Sequence, residues 1–83
     1  MATEDAARAA LDQHEGSLKD LGAHALSVEA VRRGGRRTFG IVAFFETRPT
    51  GVPRTVEVEI GGRTTTVPVT VRIAPRFAIE GPP

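Results

Sequence analysis

Two Gly-Gly pairs, Gly34-Gly35 and Gly61-Gly62, each stand between runs in which apolar and polar residues alternate. A glycine pair accepts the positive φ angles of a two-residue hairpin loop, and a period of two marks a strand with one buried face. The first pair predicts a hairpin over about 23–46, with an outgoing strand at 23–31 and a returning strand at 37–46. With the two glycines as its loop, Arg33 opposes Arg36, Ala30 opposes Phe39, Val28 opposes Ile41 and Leu26 opposes Ala43, so apolar residues meet on one face. The second pair predicts a hairpin over about 55–73. There Val56, Val58 and Ile60 point inward, while Glu57 and Glu59 point outward beside Thr64 and Thr66. Pro68 cannot donate a ladder hydrogen bond, which places its strand at an edge or interrupts or bulges it near 67–69.

The returning strand of the first hairpin is apolar on both sides, with Phe39, Ile41, Ala43 and Phe45 on one and Val42 and Phe44 on the other. Such a strand is expected at the centre of a sheet. If nothing else in the chain covers Val42 and Phe44, they form an exposed apolar patch that marks an interface. Residues 47–54 hold two prolines and a glycine and read as a surface loop.

Ahead of the hairpins lies a helical pattern over about 3–21. Thr3 is a natural N-cap, Glu4 and Asp5 complement the dipole in the first turn, and Ala7, Leu11, His14, Leu18 and Leu21 recur at helical spacing. Gly16 weakens the pattern and Gly22 ends it, so one helix, bent at most, is expected. Residues 74–83 form a tail in which Phe77 and Ile79 can fold back as a short apolar anchor. At 83 residues there is room for one core, so the chain 1–83 reads as a single α+β domain. Its N-terminal helix packs on a small antiparallel sheet of two hairpins, about four strands.

The sequence has no cysteine, which removes disulfides and thiolate chemistry, and no apolar run long enough to span a bilayer. Its polar, acidic start is unlike an export signal, and a cytoplasmic location is the expectation. The net charge of +1 conceals a split. Residues 1–30 carry six acidic side chains against Arg8 and Lys19, and residues 31–54 carry six arginines against Glu46.

Four of those arginines, Arg32, Arg33, Arg36 and Arg37, surround the first glycine turn, where they concentrate positive potential suited to carboxylates or phosphates. Nucleic acid is one possible polyanion, but the chain has no Tyr or Trp for base stacking and only one Lys. A solvated tip that protects the sheet edge from aggregation is the plainer alternative. His14 and His24 lack the neighbours of a metal site or a triad, and Ser17 and Ser27 lack a nucleophile-elbow context. Glu57 and Glu59 lie about 7 Å apart by strand geometry, but their phase makes them a solvated face and not a catalytic pair. The glycine pairs join no strand to a helix and match no phosphate-cradling loop. No catalytic, cofactor-binding or metal-binding residue emerges, no small-molecule substrate is evident, and the chain reads as a non-enzyme.

The segment DLGAHALSVEAV, the strand FGIVAFFE, the loop and strand GVPRTVEVEIGG and the strand RTTTVPVTVRI follow one another in an order that resembles a small accessory domain. That domain occurs beside trypsin-like peptidase domains in bacterial and plant chains. The matching motifs are Ile41 to Phe45, Val52-Pro53, and the GxxVPVxV-like run from Gly62 to Val71. No peptidase domain follows in this sequence and no Ser-His-Asp set is present, so the resemblance implies an accessory or interaction module and carries no catalytic residue.

The expectation is therefore a protein-interaction or self-assembly module, possible contacts being Val42 and Phe44 or a free strand edge, with Arg32, Arg33, Arg36 and Arg37 setting orientation. The alternative is polyanion or nucleic-acid binding through those arginines. The partner is a protein or a second copy of the chain, with no membrane contact.

Overall fold

The computed structural model describes residues 2–75, in which α1 (Glu4–Asp20) is followed by β1 (Ala25–Arg33), β2 (Arg36–Phe45), β3 (Thr55–Ile60) and β4 (Arg63–Ile73). Thr3 caps α1, its hydroxyl accepting from the Ala6 amide at 3.2 Å, and the helix runs through Gly16 without a break. Both glycine pairs adopt positive φ, at 60° and 80° in the first turn and 59° and 78° in the second, as a two-residue hairpin loop with left-handed central residues demands. The first hairpin has the register expected from the sequence, Arg33 opposite Arg36 through Leu26 opposite Ala43. The second places Glu57 opposite Thr66 and Glu59 opposite Thr64.

The fold is α+β, one helix on a four-stranded sheet in the order β1-β2-β4-β3. The sheet is mostly antiparallel but not wholly so, because β2 and β4 run parallel, pairing from Ile41 opposite Val69 to Phe45 opposite Ile73. β2 is central, as its two apolar faces require. β4 is also interior and unbroken, which corrects the expectation that Pro68 marks an edge or a bulge. Residues up to Pro68 pair with β3 and residues from Val69 pair with β2, so Pro68 stands where one ladder hands over to the other. Thr55, opposite Pro68, lies at a non-hydrogen-bonded site of the antiparallel ladder, where no donor toward β3 is needed. The next amide, of Val69, donates to the Arg54 carbonyl at 2.8 Å.

The core lies between α1 and the sheet. Ala6, Ala7 and Ala10 let the helix approach closely, and with Leu18 they pack against Ile41, Val56, Val58, Val67 and Val69. A smaller cluster of Ala23, Ala43 and Phe45 continues this layer past the helix end, and Val52 of the 46–54 loop packs on both clusters. Two expected core residues lie outside it: Leu21 and Ile60 are each 39% exposed, the first beyond the last turn of α1 and the second beside the glycine turn. His14, half-buried, donates from Nε2 to the Glu57 carbonyl at 3.0 Å and so ties α1 to β3. His24 makes the same kind of bond to the Ala74 carbonyl at 3.0 Å. Phe77 and Ile79 lie outside the described residues. Among the described residues no helix is long and apolar enough to cross a membrane.

Candidate functional site

Strand alternation divides the four tip arginines. Arg33 and Arg36 form one cross-strand pair and Arg32 and Arg37 the next, so the two pairs project from opposite faces of the hairpin. Arg32 and Arg37 lie on the side toward α1, where Arg37 borders an opening shared with Thr3 and Glu4. Arg33 and Arg36 lie on the other side, and there a third guanidinium joins them.

The meeting place arises from the sheet topology. Pairing between β2 and β4 starts only at Ile41 and Val69, so Arg36–Gly40 and the first half of β4 diverge. Gly40 and Pro68 mark the apex. A Cβ on Gly40 would stand 2.8 Å from the Pro68 carbonyl oxygen and 2.9 Å from its Cγ, an approach only glycine permits. The divergence opens a cleft of about 420 Å³ whose polar lining comprises Arg33, Arg36, Arg54, Thr38, Thr55 and Thr66. Ala2 lies along one side. Its carbonyl accepts from the Phe39 amide at 3.1 Å and from the Thr38 hydroxyl at 3.2 Å, and its amide donates to Thr38 Oγ1 at 2.9 Å. The chain start thus occupies part of the β2 edge that β4 leaves unpaired.

Arg33 is positioned despite being exposed. Its Nη2 donates to the Val69 carbonyl at 3.1 Å and to Thr70 Oγ1 at 3.2 Å, reaching over β2 to β4. Ion pairs among the described residues join Arg8 to Glu4, Lys19 to Glu15 and Arg72 to Glu29, and none involves Arg33, Arg36 or Arg54. Among the described residues no carboxylate lines the cleft. Three arginines lining one concavity, none ion-paired among the described residues, produce a local positive field well above what the net charge conveys. Among the described residues no cluster of His, Asp or Glu is placed to hold a metal ion.

The apolar patch expected at Val42 and Phe44 is not available as such. Val42 is fully buried and Phe44 is half-buried. On this outer face Val42 stands between Ser27 of β1 and Thr70 of β4. Polar side chains bridge the two strands flanking β2: Glu29 accepts from the Ser27 hydroxyl at 2.9 Å and pairs with Arg72 at 3.4 Å, while Arg33 reaches Thr70. The condition attached to the patch, that nothing from the chain covers it, fails at Val42. Sequence reasoning missed Arg54, because nothing local links it to the first turn. It reaches the cleft only through the β2-β4 neighbourhood and the Val69–Arg54 backbone bond.

Compared with known protein families, with curated proteins and with solved structures, the chain matches none.

Proposed function

We propose that this chain is a non-enzymatic protein-interaction module that docks an acidic partner at the arginine-lined cleft. The observation that carries the reading is the placement of Arg33, Arg36 and Arg54 around one opening with no carboxylate among the described residues of its lining. Guanidiniums so placed favour a carboxylate or phosphate on an incoming surface, steering encounter and fixing orientation. The buried state of Val42 favours this charged end over the apolar centre of β2 as the contact.

Two kinds of protein fit. One is a second copy, whose α1 presents the exposed carboxylates Asp5, Asp12 and Asp20, none of them ion-paired among the described residues. The other is a different acidic protein, and the resemblance to a peptidase-associated domain nominates a peptidase-type partner. Nucleic acid is the alternative. It is less well served, because among the described residues no aromatic side chain lines the cleft for base stacking.

The test is fluorescence anisotropy with a labelled oligoglutamate peptide and a labelled single-stranded oligonucleotide, each titrated at low and high salt. The wild-type chain is expected to bind the peptide with an affinity that falls as salt rises, and the Arg33→Ser/Arg36→Ser/Arg54→Ser variant to lose that binding. Tighter, triple-variant-sensitive binding of the oligonucleotide would replace the acidic protein with nucleic acid. Peptide binding that survives the triple substitution would overturn the reading.

A further inference from the structure

Resting on the proposal of an acidic partner, we infer that the anionic group this cleft takes is a phosphate monoester in its dianionic form. A carboxylate has two oxygens in one plane, and a single guanidinium can satisfy both. Here three guanidiniums arrive from three separate segments, β1, β2 and the residue before β3. A phosphomonoester offers three terminal oxygens and close to two negative charges, which matches donors approaching from several directions. Two hydroxyls complete the set. Thr55 and Thr66 line the cleft and their hydroxyls have no hydrogen-bond partner among the described residues, whereas the Thr38 hydroxyl is held by Ala2. Arg33 spends one nitrogen on Val69 and Thr70, which fixes the guanidinium while its remaining N–H groups are left for a ligand. The volume of about 420 Å³ exceeds what a bare phosphate fills and suits a phosphorylated side chain or a small organic phosphate.

The experiment is an amide-resolved ¹H–¹⁵N NMR titration at low salt with O-phosphoserine, AMP and acetate as separate probes. Arg54→Ser is the main variant, because Arg54 is exposed and makes no side-chain bond among the described residues, whereas Arg33 also bridges strands. O-phosphoserine is expected to produce saturable shifts at the amides of Arg36, Thr38, Thr55 and Thr66. Arg54→Ser should weaken that binding by at least about tenfold, while Arg37→Ser, on the opposite face, leaves it unchanged. Equal binding of AMP supports a general phosphomonoester site, and preference for O-phosphoserine supports a phosphorylated protein as the source. Acetate shifting the same amides at the same concentrations, or phosphoserine affinity unchanged in Arg54→Ser, would overturn the inference. If oligoglutamate binds in a triple-variant-sensitive way while O-phosphoserine does not, the phosphate inference alone falls. If neither binds, the acidic-partner reading falls with it.

Discussion

Thr38 is a buried polar side chain with two duties: its oxygen accepts from the Ala2 amide and its hydroxyl donates to the Ala2 carbonyl. Thr38→Val keeps the shape and removes both bonds, leaving a buried amide without its acceptor. Chemical denaturation is expected to show a loss of about 1–3 kcal/mol, since an orphaned buried donor forfeits its full desolvation. A loss within error would mean that Ala2 does not depend on Thr38. Val42 supplies a second test at this scale. A glutamate at a fully buried position is a buried charge without a partner, costing several kcal/mol out of a total stability of about 5–15 kcal/mol. Val42→Glu is therefore expected to lose the cooperative unfolding transition, whereas on an exposed interface residue it would change association and leave folding intact. The burial of Val42 was not legible in the sequence. Alternation places it opposite the helix-facing residues, but the bridging of β1 and β4 by Glu29, Arg72 and Arg33 depends on which strand lies beyond β2.

The same division runs through the elements. Both hairpins, and the register of the first, were legible, because a Gly-Gly loop of two residues fixes the register locally and the alternating pattern agrees with it, although the strands of the first run over 25–33 and 36–45 instead of 23–31 and 37–46. The α1 boundaries followed from Thr3 and the alanine-rich first turns. What joins the hairpins was not legible. The parallel β2-β4 pairing depends on how residues 46–54 carry the chain past β4, and no local rule sets that path. Pro68 read as an edge, an interruption or a bulge, and the structure has instead a change of pairing partner there. Gly40 tests this joint. A methyl group there would meet backbone and ring atoms of Pro68, which cannot swing aside, so Gly40→Ala is expected to destabilise the fold by about 1–3 kcal/mol in denaturant titration. Gly16→Ala, with open space around its Cβ in mid-helix, is expected to stabilise by up to about 1 kcal/mol. If both substitutions had the same sign, the close approach of β2 and β4 would not be what Gly40 serves.

For the whole molecule, the separation of an acidic first third from an arginine-rich middle is the property that reaches furthest from any one residue. The fold converts it into geography: carboxylates along α1, and two arginine pairs on opposite faces of one hairpin, only one of which finds a third arginine and a cleft. If a second copy is the partner, light scattering after size-exclusion chromatography should give a mass above 8.8 kDa at low salt that falls toward it as salt rises. A constant mass of one chain would leave the acidic partner as a different protein. The central claim is that a site, and not net charge, does the binding. It is tested most directly by comparing two variants of equal charge, Arg33→Ser/Arg36→Ser on the cleft face and Arg32→Ser/Arg37→Ser on the helix face, for binding to the same oligoglutamate peptide. The account predicts that the cleft-face variant loses binding while the helix-face variant stays close to wild type. Equal losses in the two would contradict it, because charge alone would then explain the attraction.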